Sequence, residues 1–316
     1  MRIEYHRTLI ADRVRLRAFR NALAAVIRPG ETTVVDIGTG TGVLAFLAAR
    51  LGARKVYAYE VAEIGALATK LKALNKLRNI ELIPGRSTEI IDPPRADVVV
   101  TETLGNYAFE EFLVETMNDA RARHVKPGGV LMPQAVDQFV CPVLSPRFRD
   151  DLCAWDDVAG TLDIALDLAP ARDMSLNNAY VRPFQAGDLL GGGKAARRWD
   201  RVDFTLKNRV ARRGTASWEA TRAFTVHGVA LWWAAELAPG VTLSTSPLEE
   251  PTHWEQLYLP SLAPILVQKG ETLTAELGSR SAEQTGTDLA WTLAVLNAEG
   301  RERLRLSSSL AKGFVP

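Results

Sequence analysis

Two glutamates, Glu102 and Glu111, follow an apolar run at residues 97–101 that is typical of a buried β-strand. They stand nine positions apart across a loop that contains a glycine. Because ligand-binding and catalytic groups gather at the carboxyl ends of parallel strands, we expect both carboxylates to face one pocket. Two carboxylates held together repel each other unless a cation lies between them, and a guanidinium is planar, permanently charged and able to bond carboxylates in bidentate fashion. Taken alone, two glutamates near a loop usually form a solvated face, and a guanidinium pocket is the functional alternative for this pair.

The distribution of charge along the chain favours the same kind of ligand. The chain has 316 residues, of which 38 are basic and 37 acidic, and its formal net charge is +1. Residues 96–120 nevertheless contain six acids and no lysine or arginine, and residues 223–268 contain four acids and again no lysine or arginine. If both segments wall the pocket, their field attracts cationic substrates. The alternative is that these strands and loops lack basic residues by chance.

A glycine-rich turn after the first predicted strand is typical of a cofactor site. Three glycines with the spacing G-x-G-x-G follow the strand, just after Asp36: Gly38, Gly40 and Gly42. Glycines let the backbone approach a ligand, and the helix that follows offers unpaired N–H groups. Glu60, at the end of the second predicted strand, is placed to accept hydrogen bonds from a ribose diol. A nicotinamide-binding fingerprint requires glycine where Val43 stands, which excludes an NAD-dependent oxidoreductase and leaves a tight turn beside a surface glutamate as the alternative.

The elements that must position these residues alternate between strand and helix patterns over the first 134 residues, beginning with a predicted helix at residues 8–28. From residue 202 to residue 308, apolar runs are separated by turns. We therefore predict an α/β fold with a Rossmann-like parallel-sheet domain at residues 1–134, followed by an antiparallel β-barrel-like domain at residues 135–316. A helical or irregular insertion is predicted at about residues 146–193.

Several separated motifs together resemble the protein arginine methyltransferase family. Residues 6–15 are similar to the family's opening helix, and residues 36–42 to its first motif. Glu102 and Glu111 stand at the two glutamates of its double-E loop, and residues 252–254 match its Thr-His-Trp loop. The resemblance extends over almost the whole chain and implies the family's two-domain fold.

The resemblance implies S-adenosyl-L-methionine as the cofactor. Arg15 then holds the carboxylate of the cofactor, and Glu60 its ribose. Near the adenine, Thr88 stands where the family commonly has an acid, and a one-residue gap would bring Glu89 there instead. The implied cofactor-binding residues are His6, Arg15, Asp36, Gly38, Gly40, Gly42, Glu60 and either Thr88 or Glu89.

The acceptor that the resemblance implies is an arginine guanidino group, in a protein, a peptide or a small molecule. Glu102 and Glu111 hold and orient the guanidinium while one of its nitrogens attacks the sulfonium methyl group in line. His253 either receives the departing proton, directly or through a relay, or is a purely structural partner of the glutamate loop. Trp254 lines the substrate pocket, and packing is its expected role.

The chain also departs from the family pattern. Only five residues precede His6, where the family has a tyrosine-bearing helix, so we expect that lid to be absent or replaced. Thr103, Asn106 and Leu113 stand where the family usually has tryptophan, tyrosine and methionine. Because these positions shape the pocket, the sequence leaves monomethyl and dimethyl products open. It also leaves open a non-catalytic relative that binds cofactor and a cationic partner, although the intact glutamates and His253 argue against that alternative.

The family resemblance and the composition also predict the partners and the location of the protein. The family resemblance implies a homodimer, with an arm at about residues 146–193. Residues 194–222 hold nine basic residues against three acids, but without an aromatic-rich recognition motif they favour a solvated strand face over a nucleic-acid interface. Two cysteines, Cys141 and Cys153, and four scattered histidines predict no metal site and a reducing compartment. With no signal core and no uninterrupted apolar span, we expect a cytoplasmic protein without a membrane segment.

Overall fold

A parallel five-stranded sheet forms the first half of the protein. The structure is a computed structural model that describes residues 3–161 and 166–312. The strands lie in the order β3-β2-β1-β4-β5, which places β1 and β4 side by side at the centre. All five residues of β1 are buried, as expected for a strand covered on both faces. The strands are β1 (Thr33–Ile37), β2 (Lys55–Glu60), β3 (Ile80–Pro84), β4 (Ala96–Thr101) and β5 (Val125–Met132).

Helices cover this sheet and close its carboxyl edge: α1 (Ile3–Ala11), α2 (Arg13–Val26), α3 (Val43–Arg50), α4 (Gly65–Leu74) and α5 (Leu113–Asp119). The single helix predicted at residues 8–28 is wrong, because the chain breaks at Asp12. There the backbone is extended (φ −72°, ψ 97°), and the Asp12 side chain accepts a hydrogen bond of 2.9 Å from the backbone N–H of Arg15. Asp12 thus ends one helix and caps the next.

The second half contains two antiparallel sheets. One has the order β7-β12-β10-β6-β8 with β11 beside β10, and the other has the order β15-β14-β13-β9. Strand β6, which lies between β10 and β8, is upstream of the β-rich region predicted from residue 202 onward, and β10 pairs with it along nine residues. The strands are β6 (Ala135–Val143), β7 (Tyr180–Arg182), β8 (Arg197–Asp203), β9 (Ala211–Glu219), β10 (Phe224–Ala238), β11 (Val241–Ser244), β12 (Gln256–Val267), β13 (Thr272–Ala282), β14 (Gly286–Leu296) and β15 (Glu302–Ser309). The parallel sheet followed by antiparallel sheets confirms the predicted fold class.

A helical segment projects between β6 and β8: α6 (Arg147–Cys153), α7 (Trp155–Thr161) and α8 (Ala169–Leu176). It is held to the second half by a small apolar cluster that contains Phe148, Phe184 and Tyr258. Trp155, Val158 and other large apolar side chains on this segment are exposed. The described residues contain no helix that is long and apolar enough to cross a membrane.

Candidate active site

Six of the predicted cofactor-binding residues and the two predicted catalytic glutamates line one cavity at the carboxyl edge of the parallel sheet. Gly42, Thr88, Glu89, His253 and Trp254 are not part of its lining. The cavity measures about 250 Å³ and lies between the glycine loop, α1 and the loops that follow β2 and β4. Carboxylates and backbone amides therefore meet in one place, as the topology of a parallel sheet requires. Its lining includes His6, Arg15, Asp36, Gly38, Gly40, Glu60, Glu102, Thr103 and Glu111.

Hydrogen bonds to β2 fix the position of the glycine loop. The amides of Gly38 and Thr39 both donate to the carbonyl of Tyr59, at 3.0 and 2.9 Å, and the amide of Gly40 donates to Glu60 Oε2 at 2.7 Å. The second oxygen of Glu60 accepts from the amide of Ala62 at 2.8 Å. The end of β2 thus fixes both the loop and its own carboxylate at the cavity wall.

At Gly42 the backbone requires glycine. Its φ is +91°, and an added Cβ would lie 2.5 Å from the ring of Phe46. We expect Gly42→Ala to lose about 1–2 kcal/mol of unfolding free energy through left-handed strain and about 1–3 kcal/mol more through overpacking. Gly30→Ala is the matched control, since Gly30 has φ +77° with open space around it and carries only the strain. Urea unfolding measures both losses, and equal losses would contradict the role assigned to Phe46.

Asp36 supplies a buried acceptor at the cavity. Its Oδ2 accepts from the hydroxyl of Thr39 at 2.6 Å and from the amide of Ala45 at 3.0 Å. Its Oδ1 is buried without a hydrogen-bond partner among the described residues. Burial raises the pKa of Asp36 to about 6, although these hydrogen bonds oppose the rise. The free oxygen is suited to a ligand that donates a hydrogen bond.

Glu102 forms a buried ion pair with Arg15. The Nε of Arg15 donates to Glu102 Oε2 at 2.6 Å, a terminal nitrogen of the same guanidinium donates to the same oxygen, and the other terminal nitrogen donates to the carbonyl of Leu9 at 3.1 Å. Burial raises the pKa of the Glu102 carboxyl, and the positive charge of Arg15 opposes the rise. Two residues predicted for different ligands, the cofactor and the substrate, therefore contact each other directly.

Glu111 lies at the exposed side of the same cavity. Desolvation and repulsion from Glu102, Glu110 and Glu60 raise its pKa to about 7. Glu60, Glu102 and Glu111 line the cavity together with the cation Arg15. The arrangement favours binding of a further cation, which would hold Glu111 in its ionised form.

The second half of the protein holds the glutamate loop in shape. The indole nitrogen of Trp254 donates to the carbonyl of Leu104 at 3.0 Å, and that of Trp233 to the carbonyl of Gly105 at 2.9 Å. The side chain of Asn106 accepts from the backbone amide of Glu255 at 2.9 Å. Trp254 is buried against the loop, which agrees with a packing role.

His253 pairs with Asp12, a residue that the sequence reading missed. Asp12 Oδ2 accepts from His253 Nδ1 at 2.7 Å and from its backbone N–H at 2.8 Å. Burial opposes ionisation of Asp12, but the hydrogen bonds from His253 and Arg15 together lower its pKa. The carboxylate therefore keeps the proton on Nδ1, while Nε2 is buried without a partner within the described ranges. The one available signal was the preference for aspartate at a helix N-cap.

Both halves of the chain match known proteins. A family model described as ribosomal protein L11 methyltransferase matches residues 20–134, and one described as the arginine methyltransferase oligomerization subdomain matches residues 139–294. Protein arginine N-methyltransferase 6 of Danio rerio is 29% identical over 274 residues, covering 84% of this chain and 78% of its own. Protein arginine N-methyltransferase 1 of Dictyostelium discoideum is 27% identical over 312 residues, covering 96% and 89%.

Solved structures agree over both halves of the fold. The Trypanosoma brucei PRMT1 enzyme–prozyme heterotetrameric complex with AdoHcy superposes with a TM-score of 0.83 at 22% identity, covering 96% of this chain and 97% of the other. Arabidopsis thaliana protein arginine methyltransferase 10, in an open conformation, gives 0.80 at 22% identity, covering 98% of each chain. Over most of its length the chain is similar to protein arginine methyltransferases.

The sequence departs from the family pattern near His6, where the family has a tyrosine-bearing helix before it. In this protein, helix α1 lies over the cavity there. Helix α1 contributes Tyr5, His6, Leu9 and Ile10 to the cavity lining. The ring of Tyr5 stands edge-on to that of His253, with centroids 6.4 Å apart. We expected the family's lid helix to be absent or replaced, and α1 with Tyr5 covers part of the cavity in its place.

A second cavity of the methyltransferase continues past Glu60 toward β3. Thr88 lines it, whereas Glu89 lines neither of the two cavities. Of the two candidates near the adenine, the geometry favours Thr88. Its other walls include Tyr59, Gly85, Arg86 and Ser87, with Glu111 at the side shared with the first cavity.

Proposed function

We propose that the protein is an S-adenosylmethionine-dependent N-methyltransferase that acts on an arginine guanidino group. The observation that carries this proposal is that the glycine loop, Asp36 and Glu60 line the same cavity as Glu102 and Glu111. Relatives that match along most of the chain are named protein arginine N-methyltransferases, and the Trypanosoma brucei PRMT1 complex, which has the same fold, contains AdoHcy.

The residues present fit the cofactor. The unpartnered Oδ1 of Asp36 suits a hydrogen-bond donor. A Cβ at Gly38 or Gly40 would lie 3.0 Å from Thr103 or 3.3 Å from His6, two residues of the cavity lining, so glycine keeps the loop backbone close to the ligand space. In our proposal Arg15 and His6 bind the methionine end, Glu60 the ribose, and Thr88 the adenine side of the second cavity. The bound cofactor supplies an electrophilic methyl group on a positively charged sulfur.

Glu102 and Glu111 orient the acceptor. The contact between Arg15 and Glu102 demonstrates that this carboxylate accepts a planar guanidinium in the cavity. An acceptor guanidinium would bond the remaining oxygen of Glu102 and the oxygens of Glu111, which fixes the plane of the group and directs a nitrogen along the cavity. Its charge would lower the pKa of Glu111 from about 7, so that binding itself ionises the carboxylate.

In this proposal the proton passes through a relay that begins at the glutamate pair and ends on Nε2 of His253, and Asp12 stabilises the charged imidazole through its contact with Nδ1. We expect Asp12→Asn to lower kcat by about 10²-fold, because the amide no longer stabilises a charged imidazole, whereas asparagine still caps α2. The thermal midpoint and the affinity for S-adenosylhomocysteine should change little. Steady-state kinetics together with calorimetry test this, and an unchanged kcat would leave His253 as a purely structural partner of the loop.

The experiment that tests the function uses purified protein, S-adenosylmethionine and two acceptors, free L-arginine and an Arg/Gly-rich peptide. Mass spectrometry detects each added methyl group, and Glu102→Gln is the control. Methylation of either acceptor, lost in the variant, supports the proposal and separates small-molecule from peptide acceptors. Tight binding of S-adenosylhomocysteine without turnover of either acceptor would favour the non-catalytic alternative.

We also propose a cytoplasmic homodimer built from domains at residues 1–134 and 135–316. The exposed apolar side chains of the helical segment between β6 and β8 support an arm that docks on a second copy. Sedimentation of the wild-type protein and of Trp155→Glu tests this proposal, since the charge should shift a dimer to monomer. A wild-type protein that sediments as a monomer would contradict it.

A further inference from the structure

A π-helical turn behind the second cavity carries a polar network with no part in the chemistry described so far. The turn, Ala120–His124, continues α5. Arg123 of this turn pairs with Asp119, the last residue of α5. Its Nε donates to Asp119 Oδ1 at 2.6 Å, and a terminal nitrogen donates to Asp119 Oδ2 at 3.0 Å. This two-point ion pair fixes the plane of the guanidinium.

The rest of the Arg123 guanidinium bonds the backbone of the segment after β3. One terminal nitrogen donates to the carbonyl of Ile90 at 2.7 Å, and the other to the carbonyl of Ser87 at 2.8 Å. The wholly buried His124 has its Nε2 3.2 Å from the same Ser87 oxygen. A single short network therefore holds both ends of residues 87–90.

The held segment forms a wall of the second cavity. Ser87 and Thr88 line that cavity, and the segment contains only a 3-10 turn (Ser87–Glu89) between β3 and β4. Few backbone hydrogen bonds among the described residues hold this segment in place, and one of them joins the amide of Glu89 to the carbonyl of Arg86 at 3.0 Å. The position of Thr88 in the wall thus depends on side chains from outside the segment.

The network also contacts the strand that ends in Glu60. The ring of His124 meets the ring of Tyr59 edge to face, with centroids 5.3 Å apart. Tyr59 lines the second cavity, and its carbonyl accepts the two amides of the glycine loop. The π-helical turn is therefore packed against two of the walls between which a nucleoside would lie.

We propose that Asp119, Arg123 and His124 position the wall that receives the adenosine end of the cofactor, with Arg123 as the central positioning residue. The inference rests on the proposed function, since it takes the second cavity as the adenosine site. None of the three residues lines either cavity, so they act through the carbonyls of Ser87 and Ile90 and not by direct contact.

Arg123→Met tests the inference, because methionine keeps much of the side-chain volume and removes every donor. We expect the Kd for S-adenosylhomocysteine and the KM for S-adenosylmethionine to rise about tenfold, the loss expected for hydrogen bonds from a charged group. The KM for the acceptor and kcat at saturating cofactor should stay near their wild-type values. A residue that only stabilised the fold would not produce this split.

Arg95→Met is the matched control. Arg95 donates to the carbonyls of Ala122 and Val125, at 2.8 and 2.9 Å, and so supports the same turn without reaching residues 87–90. We expect its affinity for S-adenosylhomocysteine to remain within about twofold of wild type, a change much smaller than one charged hydrogen bond.

Should Arg123→Met fail to fold, Arg123→Lys gives the same test. Lysine retains a charge for Asp119 but lacks the planar fork that reaches both carbonyls, so the Kd should still rise, by about threefold. A folded Arg123 variant with wild-type affinity for S-adenosylhomocysteine would overturn the inference and leave the proposed function intact. Failure of the wild-type protein to bind S-adenosylhomocysteine would instead overturn the proposed function.

Discussion

Replacing Glu111 with glutamine is expected to lower kcat/KM for methyl transfer by about 10²–10³-fold, the usual cost of losing one charge-stabilising group at a reacting centre. Glutamine keeps the size of the side chain but turns an acceptor into a partial donor, which opposes the N–H groups of a guanidinium. Because Glu111 lies at the exposed side of the cavity, the fold should tolerate the change. Kinetics with the acceptor that the wild-type enzyme methylates, together with calorimetric affinity for S-adenosylhomocysteine, measure the two effects separately.

Glu63→Gln is the control for that variant. Glu63 is exposed, lies in the turn after β2 and lines neither of the two cavities, so the same chemical change there should leave kcat/KM unaltered. Similar losses in both variants would show that negative charge on this face matters only as a general field. Loss in Glu111→Gln alone would place that carboxylate at the acceptor.

The pH dependence of the wild-type enzyme should carry the signature of Glu111. Its pKa is raised to about 7, and only the ionised form attracts a guanidinium, so kcat/KM should rise with pH through about 7. Below that value the slope approaches about tenfold per pH unit. The rise through about 7 should disappear in Glu111→Gln. A wild-type profile without a rise between about pH 6 and 8 would contradict the assignment.

The raised pKa of Glu111 makes the stability of the fold change with pH in the direction opposite to kcat/KM. The folded protein binds the proton of Glu111 more tightly than the unfolded chain, whose carboxyl has a pKa near 4.5. The stabilising contribution is therefore fully present below about 4.5 and is lost as pH rises through about 7. Ionisation that favours catalysis thus works against stability until a cation binds between the carboxylates.

Local sequence rules predicted the cavity because its residues stand at the ends of strands. Glu60 and Glu102 follow apolar runs whose length and composition identify them as strands, and parallel topology brings such ends together. The glycine spacing identified the loop between β1 and α3 in the same way. These arguments require no knowledge of distant contacts.

Other parts of the site depend on contacts that no local pattern reveals. Asp12 and His253 are separated by 241 residues, and only the packing of the second half against α2 brings them together. The pair between Arg15 and Glu102 likewise joins an expected cofactor residue to an expected substrate residue across 87 positions. The break of the first helix at Asp12 was missed because hydrophobic periodicity continues across it, whereas the cap depends on one side chain.

Arg15→Ala is expected to lower the free energy of unfolding by about 3–5 kcal/mol, because it leaves the carboxylate of Glu102 buried without its cation. The two side chains of this pair are 7% and 6% exposed. Two positions further along α2, Arg17 pairs with Glu250, and those side chains are 58% and 61% exposed. Arg17→Ala should therefore cost less than about 1 kcal/mol. Urea unfolding of both variants in one buffer gives the comparison, and equal losses would contradict it.

A pH series and an added ligand show whether charge causes the loss. Without Arg15 the pKa of Glu102 should rise further, so the deficit of Arg15→Ala should shrink as pH falls and the carboxyl becomes neutral. Methylguanidinium, a small planar cation, should restore part of the stability of Arg15→Ala by binding only the folded state, and should leave Arg17→Ala unchanged. Restoration at neutral pH would mean that Glu102 binds a guanidinium in this cavity even when the chain no longer supplies one. A deficit insensitive to both pH and methylguanidinium would instead reflect lost packing of the arginine stem.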